Sequence, residues 1–317
     1  FVALKLAAVS VDLDEIDNYA AIHGLDASGS AAVKLSPDAL RSVYKRALPR
    51  LVQLFRELGV PCTYFAVGRD LIHADNAAAL RAAANAGDEI ANHSLSHLYD
   101  LTRKPRALQH AEVRGGADAI ENAVGKRPAG FRAPGYTLTT QLAEVLTQEG
   151  VQYDSSVFPC PAYYAAKTAA IGVIRARGRR SHSIVDDPRV LLASADPYRM
   201  GTSYRARGRG LLELPIGVTS SATGRLPFIG TSVVLAGPAG ARLLASAASG
   251  RPLVNLELHG IDLADAANDG LSGLMPHQPD LRKSLESKRS ALISAVETLR
   301  SRGYSFVTLA EAARRLG

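Results

Sequence analysis

The sequence contains no tryptophan, only two cysteines in 317 residues, and no unbroken apolar run of the roughly 18 residues that a membrane-spanning helix needs. Cys62 and Cys160 cannot build a disulfide framework, and neither sits in a CxxC or Cys/His spacing, which excludes a cysteine-based zinc site. They read as small buried apolar residues in a reducing compartment, with a single bridge between them as the alternative. There is no internal repeat and no long low-complexity tract. The opening Phe1-Val2-Ala3-Leu4-Lys5-Leu6 lacks the basic and long apolar stretches of a secretory leader and reads as a first strand. The expected location is the cytoplasm, with or without membrane association.

What is present is an ordinary enzyme-like balance, 47% hydrophobic and 21% charged, in a chain long enough to bury a large core. The net charge of +7 is unevenly placed. Residues 160–210 carry ten basic side chains against three acidic ones, a surplus equal to that of the whole chain. Such a patch suits phosphates, acidic glycans or an anionic membrane surface, and its plain alternative is a solvated basic loop. The scattered tyrosines among these arginines match no nucleic-acid-binding motif, so no nucleic-acid partner is expected.

Short apolar segments at 3–11, 62–67, 88–92, 130–132, 153–155, 211–215, 253–258 and 304–308 alternate with helical patterns. The helical patterns fall at 38–58, 76–86, 105–124, 139–149, 238–248 and 281–302, each ending at or near a glycine. Strand–helix alternation with short connections predicts a parallel sheet, open or closed into a barrel. The Arg-, Gly-, Pro- and Ser-rich stretch 158–210 breaks the alternation. It reads as an insertion covering one face, with an amphipathic helix over 163–177, in a single domain spanning 1–317.

Polar residues gather where the strands end. Asp12 and Asp14 close the first strand on one side of it, His93 and His97 follow the third, Arg132 and Tyr136 the fourth, and His259 the seventh. In parallel α/β architectures that rim is where sites assemble. Taken singly, each has an ordinary structural explanation: a chance histidine pair, a turn or cap, a surface arginine, a satisfied strand-end histidine. Together, two imidazoles and a carboxylate can hold a divalent ion with positions left open. A second carboxylate can take a proton from water, and a histidine across the site can protonate a departing amine.

The ordered motifs resemble the polysaccharide deacetylase family, also known as the NodB homology domain or carbohydrate esterase family 4. Asp12-Leu13-Asp14 is similar to its first motif in a spaced Asp-x-Asp form. His93-Ser94-Leu95-Ser96-His97 fits the second, Arg132-Ala133-Pro134-Gly135-Tyr136 resembles the third, and Leu256-Glu257-Leu258-His259 fits the last. The resemblance implies a distorted (β/α) barrel of about seven parallel strands. It implies Asp14, His93 and His97 as ligands of one divalent metal, zinc or else cobalt, nickel, iron or manganese. By the same match Asp12 is the base, Arg132 orients Asp12, the Tyr136 backbone N–H assists an oxyanion, and His259 is the acid. Leu256 is assigned to an acyl pocket. The family's fourth motif usually supplies an Asp and a Trp; here Asp154 is the nearby candidate for a supporting or substrate-binding role.

The implied activity is removal of an acetyl or formyl group from the nitrogen of an amino sugar in a glycan or a phosphorylated or lipid-linked saccharide. Hydrolysis of a cyclic imide or ureide on the same fold, and a non-catalytic carbohydrate- or lipid-binding module, are the alternatives. The basic insertion is also a candidate for peripheral membrane contact.

Overall fold

The computed structural model describes residues 4–25 and 33–317; Ala3, where the first strand was expected to start, lies outside them. Among the described residues nine strands form one curled, mostly parallel sheet. They are β1 (Leu6–Asp12), β2 (Cys62–Ala66), β3 (Glu89–Asn92), β4 (Gly130–Phe131), β5 (Tyr153–Asp154), β6 (Tyr198–Met200), β7 (Arg207–Glu213), β8 (Leu253–His259) and β9 (Ser305–Phe306). Their order is β6-β7-β5-β4-β3-β2-β1-β8, with β9 pairing the start of β1. Only β6 runs antiparallel, against β7. All eight expected strands are present, and β6 is the addition, an edge strand within the basic insertion.

Ten helices accompany the sheet among the described residues: α1 (Ile16–Ile22), α2 (Pro37–Leu40), α3 (Leu48–Glu57), α4 (Ala74–Asn85), α5 (Arg106–Val124), α6 (Thr140–Gln148), α7 (Pro161–Ala176), α8 (Gly230–Ala248), α9 (Leu285–Ser301) and α10 (Leu309–Leu316). The single helix expected over 38–58 is broken into α2, a π-helical stretch at Val43–Ala47, and α3. Helix α8 starts earlier than expected because a kink at Gly237, before Pro238, joins two shorter helices.

The two faces of β1 separate packing from chemistry. Ala7, Val9 and Val11 belong to the main core, together with Val254, Leu256 and Leu258 of β8 and residues of α3, α8 and α9. The opposite face runs Leu6, Ala8, Ser10, Asp12, from apolar at the strand's start to polar at its end. The apolar end joins Phe65, Ala91 and Tyr153, and α10 closes it with Leu309 and Ala312. Thr63 Oγ1 and Glu89 Oε2 accept the first N–H groups of α10 at 2.8 Å.

The curl brings the segment after β7 against β8. Gly217 N–H donates to the Asn255 carbonyl (2.8 Å), and a Cβ at Gly217 would lie 2.3 Å from that oxygen, so the seam requires glycine. Closing the sheet in this way places the ends of β1, β3, β4 and β8 around one opening. Both cysteines are free and buried, so the alternative of a bridge between them does not hold.

Candidate metal and acid–base site

Asp12 and Asp14 leave β1 almost wholly buried, and Asp12 stands level with His259 across the β1–β8 pair. His93 follows β3. Its Nδ1 lies 2.7 Å from the Arg132 carbonyl, which can only accept, so Nδ1 carries the proton. Its Nε2 then faces the carboxylates, 3.3 Å from Asp14 Oδ1 and 3.7 Å from Asp12 Oδ2. His97 Nε2 is 3.1 Å from the same Asp14 oxygen. Against the cost of burial, His97 and His93 hold the Asp14 carboxyl well below the usual carboxylate range.

The His93–His97 segment is a loop in constrained backbone geometry. Ser94 and His97 both have positive φ (68° and 56°), a conformation that costs a non-glycine residue about 1–3 kcal/mol. Specific contacts hold it. His97 N–H donates to Ser94 Oγ (3.0 Å), and Ser96 N–H donates to Glu112 Oε2 of α5 (2.8 Å). The backbone of α5 itself comes close, since a Cβ on Gly116 would stand 2.7 Å from the Ser94 carbonyl carbon.

These residues fit a divalent ion. Ligand atoms of Asp14, His93 and His97 lie within 4.8 Å of one another. Asp14 Oδ1 and both ring nitrogens of His97 are buried without a hydrogen-bond partner, an arrangement that is costly unless something completes it. Two imidazole nitrogens and one carboxylate oxygen form a donor set suited to zinc and its neighbours.

Beside this trio, Arg132 is fully buried and engages every arm of its guanidinium. Nη1 meets Asp12 Oδ1 at 2.6 Å, Nη2 meets the Ser10 and Ser155 hydroxyls at 2.8 and 2.9 Å, and Nε meets the Ser155 carbonyl at 2.9 Å. Its carbon lies 4.1 Å from the centroid of the Phe65 ring.

On the opposite side is His259. Its Nε2 is 3.0 Å from Tyr136 Oη and its Nδ1 is 3.2 Å from Glu257 Oε1. Burial opposes its charge, but Glu257 and then Asp12 push its pKa up to about 9. Glu257 is wholly buried, and burial raises its own carboxyl to about 7 against the pull of His259. Glu257 was not assigned a role from the sequence. Its signal was nonetheless present: Asn255, Glu257 and His259 are the polar alternation in an otherwise apolar strand.

Two expected roles need correction, those of Leu256 and Tyr136, and Asp154 keeps the supporting role without the substrate-binding one. Leu256 is fully buried in the main core on the other face of β8, because an odd spacing from His259 turns its side chain away from the opening. Asp154 is wholly buried and accepts from the Ser156 hydroxyl (2.8 Å) and N–H (3.2 Å), opposite Glu213 on β7, so it touches no opening. Burial raises the carboxyls of both Asp154 and Glu213. Ser156 Oγ in turn accepts the Ala133 N–H (2.8 Å), which makes Asp154 a support for the Arg132–Tyr136 segment. Finally, the Tyr136 N–H already donates to the Ala133 carbonyl (3.1 Å), so in this structure it is the phenol of Tyr136 that meets the site.

The insertion forms one wall. Tyr163 of α7 packs with Phe158 and Tyr136, and Lys167 Nζ donates to the Gly135 carbonyl at 2.8 Å. Burial pulls the Lys167 pKa down to about 8.

Known proteins resemble this chain in part of its sequence and in its fold. The family model for polysaccharide deacetylase matches residues 34–153, which include His93, His97, Arg132 and Tyr136. A peptidoglycan deacetylase of Helicobacter pylori is 25% identical over 155 residues, 48% of this chain and 49% of its own length. Over that segment the chain is similar to the polysaccharide deacetylases. The deacetylase match starts after Asp14 and stops before His259; the fold, not the matched segment, unites them with the histidine pair. The chain spans about half the length of that curated relative. Among solved structures, a putative polysaccharide deacetylase from Mycobacterium smegmatis has a TM-score of 0.61 at 19% identity, covering 99% of this chain and 91% of its own. A carbohydrate esterase family 4 pseudoenzyme from Bacillus anthracis has a TM-score of 0.51 at 11% identity, covering 98% and 66%. These likenesses establish the deacetylase fold, and because one belongs to a pseudoenzyme, activity has to be argued from the site.

Proposed function

We propose that this chain is a metal-dependent hydrolase that removes an acetyl or formyl group from the nitrogen of an amino sugar. The observation that carries the reading is one opening in which Asp14, His93 and His97 stand beside an arginine-held Asp12 and opposite His259. An ion bound by the first three, with zinc as our assignment, would supply Lewis acidity toward the amide carbonyl and make attacking water more acidic. Asp12 takes the proton from that water. Arg132 fixes the direction of Asp12, and the Ser10 and Ser155 hydroxyls fix Arg132. His259 then delivers its Nε2 proton to the departing amine nitrogen once Tyr136 Oη gives up that contact.

Glu257 keeps His259 protonated. In Glu257→Gln the imidazolium loses its adjacent carboxylate, so the alkaline limb of the pH–rate profile should move from about 9 to about 7. Below that limb the rate should change little, and at pH 8 it should fall about tenfold. An unmoved limb would remove Glu257 from this role.

The test of the reading is release of acetate or formate by the zinc-loaded chain from N-acetyl and N-formyl amino sugars, neutral and phosphorylated, beside a panel of cyclic imides. Activity confined to the imides would replace the sugar reading with the imide one.

For the saccharide we favour a phosphorylated or lipid-linked form, handled in the cytoplasm with peripheral membrane contact through the insertion. The outward face of α7 supports that contact: Ala162, Ala165, Ala166, Ala169, Ala170 and Val173 are exposed, and Arg175 and Arg177 follow them. No helix among the described residues is long and apolar enough to cross a membrane.

A further inference from the structure

Next to His97 the surface opens into a cleft of about 340 Å³. One wall is the stretch from Leu98 to Arg103; the other is the insertion at Arg180, Ser181, His182 and Ile184. A second hollow of about 380 Å³ shares Arg180 and His182 and is floored by Asp17, Ala20, Ala21 and Gly24 at α1. His97 therefore belongs both to the candidate ligand set and to the lining of this cleft.

The insertion is fastened where it passes. His182 N–H donates to the Ala21 carbonyl (3.1 Å) and Ser181 Oγ to the Ile22 carbonyl (2.6 Å). The Arg180 carbonyl lies 3.0 Å from where a Cβ on Gly24 would stand, so the two segments are in contact. Arg103 Nη2 reaches the Val185 carbonyl at 3.4 Å and links the walls.

The acidic groups of these hollows are already engaged. Asp100 pairs with Lys104 at 2.8 Å and Asp17 with Arg69 at 2.9 Å. Arg103 and Arg180 have no carboxylate partner among the described residues, and both are exposed. Two guanidiniums without a carboxylate partner and an imidazole, all lining a cleft beside a reaction centre, form a receptor for an oxyanion. A guanidinium offers paired N–H groups that match phosphate or carboxylate oxygens.

We propose that this cleft is a subsite for an anionic substituent of the substrate, a phosphate or a carboxylate, held by Arg180 and Arg103 with His182 as a third donor. It rests on the amino-sugar reading above and gives that reading a substrate class: a sugar carrying both the acylated nitrogen and a negative charge. A phosphate, close to doubly charged at neutral pH, gains more here than a carboxylate.

The experiment compares kcat and KM of the zinc-loaded full chain on N-acetylglucosamine, N-acetylglucosamine 6-phosphate and N-acetylmuramic acid. Wild type is set beside Arg180→Ala, Arg103→Ala and the double variant. Calorimetric binding of N-acetylglucosamine 6-phosphate is measured in parallel. The anionic sugars should be preferred roughly ten- to a hundredfold in kcat/KM, through KM. The arginine variants should remove that preference and flatten the salt dependence of binding. Preference for the phosphate arm over the muramic acid arm, or the reverse, identifies the oxyanion. Equal use of neutral and anionic sugars, unchanged in the double variant, overturns the subsite while the hydrolase reading stands. If no sugar is cleaved, the hydrolase reading falls, and arginine-dependent binding of the phosphorylated sugar still decides for the subsite, its absence against it.

Discussion

Asp12→Asn is expected to lower kcat by about 10²–10⁴-fold with the metal content unchanged. The substitution keeps the shape of the side chain but removes the basic oxygen that accepts the proton of water, and it leaves Asp14, His93 and His97 intact. It also strips buried Arg132 of its 2.6 Å counter-ion, a loss worth about 3–5 kcal/mol when nothing compensates it. Here part of the cost is offset. Arg132 keeps the oxygens of Ser10 and Ser155, and buried Glu257 lies near enough to act on its charge. A folded, metal-loaded and nearly inactive variant is therefore the expected product, read by thermal melting, metal analysis and kcat together. Wild-type turnover by this variant would remove Asp12 as the base.

His93→Ala should act differently, by losing the metal. The substitution deletes a ligand and also the Nδ1–H bond to the Arg132 carbonyl that orients it. Loss of an outer hydrogen-bond partner alone costs a metal site roughly 10–100-fold in affinity, and loss of the ligand itself should cost more. The variant should emerge from dialysis without stoichiometric metal, and its activity should fall to background. Asp14 would then lack one of the two histidines that keep its carboxyl low. Retention of both metal and activity would show that the ligand set is wrong.

Much of this site was legible before any coordinates because strands have a period of two. Asp12 at the end of an apolar strand, and His93, Arg132 and His259 at the ends of three others, could only converge if the strands run parallel. The same rule, applied to 256 and 259, turns Leu256 into the core, against the role the motif implies. Asp154 follows a strand as Arg132 does, but nothing in its neighbourhood marks which way a side chain faces when the strand has two residues. Strand β6 was invisible because Tyr198-Arg199-Met200 lies among arginines and glycines and is fixed by pairing with β7, a tertiary cause. The conformation of the His93–His97 loop depends on Glu112 and Gly116 of α5, residues far along the chain whose role no local pattern announces.

The bond from Lys167 to the Gly135 carbonyl joins the insertion that borders the cleft beside His97 to the loop that presents Tyr136 and Arg132. The insertion is thus not an interchangeable lid. A graft of residues 158–210 from a relative with other tastes in substrate would have to bring an equivalent ammonium to Gly135. Without it, selectivity and turnover would be lost in the same stroke, so change in this lineage has to keep the tether while rewriting the residues around it.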